Sequence, residues 1–278
     1  MPSPDLAFPP DLPSIARAFL TPARAAPDEG ARRLLAAGER LDLSFTSRGR
    51  GVAAWAWGAA GPTVLLVHGW SSAAWQLGAF VEPLVRHGFR VAAFDAPAHG
   101  ASPGTTTSAV EMSEVVLAAG RLLGPLHAAI GHSAGAAAIA RAATRGLVAG
   151  RLVLVSPWTR ARSWVERYAA GLALPRVTAA RLVAAVEAEA GAPLASVDVA
   201  ALAPDLAAPT LVVHDADDAL VALDDVRAAA ARLPRGALVE TRGLGHARVL
   251  RAREVVEAVV QFVGRPSETA ACREEEMR

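Results

Sequence analysis

A series of short, unbroken apolar runs recurs along this chain, each closing on polar or turn residues: TVLLVHG (63–69), RVAAFDAP (90–97), LHAAIGHS (126–133), RLVLVSP (151–157), PTLVVHD (209–215) and ALVETRG (237–243). Runs that do not alternate with polar residues suit strands covered on both faces, the condition of a parallel sheet. Segments with helical spacing separate several of them: GAFVEPLVRHG, AVEMSEVVLAAGRLLG, AGAAAIARAATRG and LDDVRAAAARL; AREVVEAVVQFVG follows the last. Strands alternating with helices predict an open α/β sheet, mostly parallel and flanked by helices.

The flanks of this series differ from it. The first thirty residues are rich in Pro and Ala and are expected to wrap the surface, and DEGARRLLAAGER (28–40) reads as a short helix. RLDLSFTS and GVAAWAWG read as two strands around a turn at 48–51, with Leu41, Leu43 and Phe45 alternating as on a half-buried edge strand. Between Trp158 and Pro204 no strand is expected, only helical pieces such as RARSWVERYAAGL and TAARLVAAVEAEAG. An insertion of that kind between two sheet strands predicts a helical cap. The expected organisation is a core of 1–157 and 205–264, with an N-terminal extension at 1–38, a cap at 158–204 and a tail at 265–278.

Composition removes several functions. At 278 residues, 53% hydrophobic and 20% charged, the chain can bury a substantial core. A net charge of +1 provides no global field for nucleic acid or an anionic membrane, so neither partner is expected. The only cysteine, Cys272, permits no intrachain disulfide and no cysteine cage for zinc. No run is apolar enough for long enough to span a bilayer, and the Pro-rich start does not read as a secretory leader. The expected compartment is the cytoplasm.

In open α/β sheets ligands sit beyond the carboxyl ends of the strands. Ser133 stands there, in GHSAG (131–135), after the run LHAAI and before the helix AGAAAIARAA. A strand, tight turn and helix around G-x-S-x-G present the serine hydroxyl as a nucleophile, the two glycines letting strand and helix pack closely. The bland alternative is a Gly-Ser turn without chemistry. A serine needs a base to take its proton. After Ser133 only His214 and His246 remain; His214 lies inside an apolar run and reads as structural, whereas His246 lies in the glycine-flexible loop GLGHARVL. His246 is the expected base. HDADDALV offers Asp215, Asp217 and Asp218 as the acid that orients it, and the same cluster has an alternative reading as a cation site, which nothing else in the sequence completes. Two backbone N–H groups must face the developing oxyanion. Ala134, directly after the nucleophile, and Trp70, in VHGWSS, are the expected donors. His68 reads as a loop brace, His132 as packed, and His87, His99 and His127 as loop or surface residues.

Taken together, LLVHGW (65–70), FDAPAHGAS (94–102), GHSAG, HDADDALV (214–221) and GLGH (243–246) resemble the alpha/beta-hydrolase superfamily over about 42–264. The resemblance implies Ser133, His246 and an acid as a triad, Trp70 and Ala134 as oxyanion donors, and a lid at 158–204. It places the acid three residues before a valine in G-x-x-D-x-x-V, which assigns Asp218 ahead of Val221, with Asp215 in the slot where the family has glycine.

The expected activity is hydrolysis of a small or medium carboxylic ester through an acyl-enzyme, with no cofactor and no metal. Thioester or lactone hydrolysis and acyl transfer use the same groups. Relatives that cleave carbon–halogen bonds or epoxides place Asp where Ser133 stands. A binding protein that has lost the chemistry is the non-enzymatic alternative, against which each triad slot holds a competent residue. Trp158, Trp164 and Tyr168 are candidates to line the acyl pocket, or else they form the cap's own core.

Overall fold

A computed structural model describes residues 11–43 and 51–265. Its sheet is formed by β1 (Glu39–Leu43), β2 (Val52–Trp57), β3 (Thr63–Val67), β4 (Arg90–Phe94), β5 (Ala128–His132), β6 (Leu152–Val155), β7 (Thr210–Asp215) and β8 (Gly236–Thr241). The spatial order is β1-β2-β4-β3-β5-β6-β7-β8. β1 and β2 pair antiparallel, β2 joins β4 antiparallel, and every pair from β4 to β8 is parallel. This is the alpha/beta-hydrolase fold, a mostly parallel sheet flanked by helices. The apolar runs of β3 to β7 became strands because both sheet faces are covered there, whereas β8, at the sheet edge, is exposed or half-buried throughout. Val64 and Leu66 point to the side holding α3 (Gly78–Arg86) and α11 (Arg253–Gly264), while Leu65 and Val67 point to the side holding α4 (Ala109–Leu123) and α5 (Ala134–Ala143).

The parallel register places functional ends side by side. Val67 lies opposite Gly131, His132 opposite Val155, and Asp215 opposite Thr241. The loops leaving β3, β5, β7 and β8 therefore emerge at one edge, and they carry Trp70, Ser133, Asp218 and His246.

One expectation needs correction. The N-terminal stretch does not merely wrap the surface: α1 (Leu12–Phe19) is a helix, capped by Asp11 accepting from the Ser14 N–H at 2.8 Å. Pro13 stands in its first turn, where proline's fixed φ favours a helix instead of breaking it. The edge strand begins at Glu39 and is described only as far as Leu43; Phe45 and most of the turn at 48–51 lie outside the described residues, as do 266–278 with Cys272. α2 (Glu29–Ala37) stands where a short helix was expected, capped by Asp28.

Between β6 and β7 stand α6 (Ala161–Gly171), α7 (Arg176–Ala190) and the short α8 (Val199–Leu202), followed beyond β7 by α9 (Leu223–Ala230). α7 packs on α1 and α6, whereas α8 packs on α5 and α9 beside the sheet. The stretch 158–204 thus divides: its first helices lie over the sheet's carboxyl edge with α1, and its end joins the layer on the sheet. No helix among the described residues is long and apolar enough to cross a membrane.

Candidate active site

Ser133 sits between β5 and α5 with φ 54° and ψ −118°, a left-handed value unusual for a side-chain-bearing residue and of the kind held under strain at functional turns. The bracketing glycines are required by contact. A Cβ on Gly131 would come within 2.7 Å of the Ala136 backbone, and one on Gly135 within 2.3 Å of the Val67 carbonyl oxygen. Strand, turn and helix are pressed together, and the buried Ser133 is fixed at the head of α5.

His246 lies in α10 (Gly245–Arg248), in the loop region after β8, with its Nε2 3.0 Å from Ser133 Oγ and its Nδ1 2.7 Å from Asp218 Oδ2. The Asp218 carboxylate is fully enclosed, and its other oxygen accepts the Leu220 and Val221 N–H groups at 2.8 and 3.1 Å. Burial pushes the Asp218 carboxyl up, but the hydrogen bond and charge of His246 and the two amides outweigh it and hold the pKa below its usual range. Asp217 points elsewhere: it is exposed, and its carboxylate accepts the Gly243 N–H at 2.8 Å.

Asp215 does something different from either. Buried at the end of β7, it accepts the Asp217, Leu244 and Gly245 N–H groups at 3.0, 3.1 and 2.8 Å, and the Thr241 hydroxyl at 2.7 Å. Burial raises its pKa, yet these donors overcome that and bring it down to about 2. Asp215 therefore ties the His246 loop to the sheet. The three carboxylates diverge into separate hydrogen-bond sets, and among the described residues no group of three His, Cys, Asp or Glu side chains is placed to hold a metal ion.

Three of the remaining histidines, His132, His68 and His99, brace the site. His132 is buried, and its Nε2 donates to the His246 carbonyl oxygen at 2.9 Å, the rings lying 4.7 Å apart. Burial, reinforced by the neighbouring His246, pushes its pKa down to about 3, so it stays a neutral donor. His68 donates from Nδ1 to the Gly69 carbonyl at 2.7 Å and accepts the Ala96 N–H at Nε2 at 2.9 Å. His99, expected as a loop or surface residue, is fully buried and accepts the Ser71 N–H at 3.1 Å. Together they hold the 68–71 loop against the elbow, where a Cβ on Gly69 would lie 3.1 Å from Ser133 Cβ. That loop carries Trp70, and Ala134 opens α5; among the described residues neither N–H has a hydrogen-bond acceptor. His214 is enclosed, with Nε2 3.1 Å from the Val221 carbonyl. His127 reaches the Val263 carbonyl and His87 the Pro83 carbonyl, both remote from Ser133 in the fold.

A cavity of about 250 Å³ opens onto Ser133 and His246, walled by Trp70, Trp158, Trp164 and Leu220, with Ser72 and Gln76 as polar members. Phe19 from α1 completes the wall, a residue that sequence reasoning missed. Tyr168 is not a wall residue: one turn beyond Trp164 on α6, it packs edge-on against Phe19 at 5.4 Å, and Phe19 borders the cavity in its place.

Residues 64–258 match the model of the alpha/beta hydrolase family. No curated protein matches the chain. Among solved structures, an esterase of Pyrococcus furiosus is similar at 20% identity and a TM-score of 0.67, over 87% of this chain and 98% of that one. A thermophilic esterase of Thermogutta terrifontis is similar at 21% identity and a TM-score of 0.61, over 81% and 98%. A bromoperoxidase of Bacillus anthracis is similar at 16% identity and a TM-score of 0.62, over 82% and 100%.

Proposed function

The chain belongs to the alpha/beta hydrolase family, and from that membership we propose that it is a serine-dependent hydrolase of small or medium carboxylic esters, working through an acyl-enzyme on Ser133. The observation that carries this reading is the continuous relay from Ser133 Oγ through His246 to Asp218, at 3.0 and 2.7 Å, on the wall of an apolar cavity. Ser133 Oγ attacks the acyl carbon while His246 Nε2 takes its proton. Asp218 keeps the imidazole in the tautomer that can accept and stabilises the imidazolium that forms. The Trp70 and Ala134 N–H groups receive the oxyanion. Collapse expels the alcohol, which leaves with the proton from His246. Water then gives a proton to His246 and attacks the acyl carbon, releasing the acid and restoring Ser133. The cycle balances with water as the sole co-reactant. Helices α6 and α7, with α1, act as the lid of this cavity, and 158–204 is the family's usual place for one.

Removing the nucleophile tests the assignment. Ser133→Ala should retain the fold and lose kcat by roughly 10⁶-fold, residual rate coming from binding and the oxyanion donors alone. A fluorophosphonate should add once to the wild type by intact mass and not at all to the variant. An adduct surviving on Ser133→Ala would refute Ser133 as the nucleophile.

A further inference from the structure

We propose that the cavity beside Ser133 is built to hold an aromatic acyl group, so that the substrates are esters of uncharged arylalkanoic acids such as phenylacetic acid; this rests on the acyl-enzyme reading above. Aromatic residues make up only 5% of the chain. Yet Phe19, Trp70, Trp158 and Trp164, drawn from α1, the loop after β3, the loop after β6 and α6, converge on this one space. Their rings form a continuous series. Phe19 and Trp70 lie nearly parallel with centroids 6.5 Å apart, Trp70 and Trp158 are 6.3 Å apart, and Trp158 stacks on Trp164 at 5.1 Å.

Were these rings only a packed core, all of them would be fully enclosed. Instead Phe19, Trp70 and Trp164 are each half-buried, and all three border the cavity. Apolar surface gathered in one concavity beside a nucleophile is what a ligand covers. No Arg, Asp or Glu stands in the wall among the described residues, so the group it takes is uncharged. Size narrows the class further. An apolar cavity of about 150 Å³ accepts benzene, so about 250 Å³ holds one ring and the short methylene link that joins it to the carboxyl carbon, but not a long lipid chain.

A ring is preferred over a saturated group of similar size because aromatic walls discriminate by quadrupole. Edge-to-face and offset contacts add attraction beyond buried area, worth about 2- to 10-fold per favourable pair. The wall is also held in place beforehand: Phe19 is fixed edge-on by Tyr168, and Trp164 by the Trp158 stack, so little side-chain freedom is lost on binding.

The test compares matched esters. For 4-nitrophenyl phenylacetate and 4-nitrophenyl cyclohexylacetate, kcat/KM is measured and divided by each ester's hydroxide-catalysed rate. The normalised ratio should favour the phenyl ester by about 5-fold or more. The reversible inhibitors phenylmethylboronic and cyclohexylmethylboronic acid, in which boron stands for the acyl carbon and which add to Ser133 without turnover, should show a Ki ratio in the same direction. Phe19→Leu keeps an apolar wall without a ring and should bring both ratios toward unity. A wild-type ratio at or below one, in an enzyme that hydrolyses 4-nitrophenyl acetate and takes the phosphonate on Ser133, overturns the aromatic pocket and leaves the esterase reading standing. Absence of both acetate hydrolysis and the phosphonate adduct overturns the esterase reading itself.

Discussion

At the scale of single residues, neighbouring carboxylates in one loop have received different work. Asp218 is enclosed and meets His246 Nδ1 at 2.7 Å, whereas Asp217 is exposed, holds the Gly243 amide and lies 3.8 Å from the Arg242 guanidinium. Asp218→Asn should leave Ser133 and the oxyanion donors in place while letting the imidazole settle in the wrong tautomer, at a cost of about 10⁴ in kcat. Asp217→Asn keeps an oxygen acceptor for Gly243 and loses a screened surface charge, so its kcat should fall less than about tenfold. Steady-state kinetics of both variants with one activated ester decide between them; a crippled Asp217→Asn beside a near-normal Asp218→Asn would refute the assignment. Ser133 and His246 were readable from the sequence because each stands at the end of an apolar run beside glycine. The choice among Asp215, Asp217 and Asp218 needed the valine spacing of the family, since all three follow the same strand. The His132 contact was not readable at all, because it exists only when the loop after β8 folds back across the elbow.

At the scale of elements, the junction of the two loops that leave β7 and β8 rests on Asp215. Its folded pKa of about 2 lies below the ordinary 3.8, so the carboxylate contributes stability that is fully present above pH 3.8 and is lost as pH falls toward 2. Asp215→Asn turns one acceptor oxygen into a donor facing N–H groups. It should lower Tm by several degrees at pH 7. The gap between wild type and variant should narrow in thermal melts as pH drops from about 4 to 2, because the wild-type carboxylate then takes up a proton as well. A gap that stays constant or widens over that range would show that the charge is not what holds the loop. The same region explains why strands were legible and some helices were not. Burial on both faces forces a strand such as TLVVHD to be apolar throughout, which leaves a plain signature. α1 is short and opens among prolines, so its pattern reads as irregular until the Asp11 cap and the buried Ile15 and Ala16 are seen. α7, expected as a helical piece, buries only Leu182, Val183 and Val186, a stripe that gave no sign that the distant α1 is one of its partners.

At the scale of the whole molecule, the N-terminal arm links α7 to the wall of the cavity. α1 packs on α7 and puts Phe19 into the cavity, and the chain then runs along the rim. There the Leu20 carbonyl accepts the Thr107 N–H at 2.9 Å, and the Ala23 N–H donates to Ser71 Oγ at 3.0 Å, beside Trp70. Arg24 fastens the arm by giving its guanidinium to the carbonyls of Gly100, Ser102 and Gly104. A planar fork with several fixed donors suits that set of carbonyls, which an ammonium cannot match. Arg24→Ala should therefore free the arm without opening the sheet, so Tm should move little. The wall that Phe19 completes should lose its fixed position, and KM should rise more for a phenylacetyl ester than for an acetyl ester, by about tenfold in their ratio. Arg24→Lys should recover only part of it. Equal KM changes for the two esters would mean that the arm stabilises the fold without shaping the acyl site, whereas a selective loss would make a segment outside the sheet a determinant of which ester is held against Ser133.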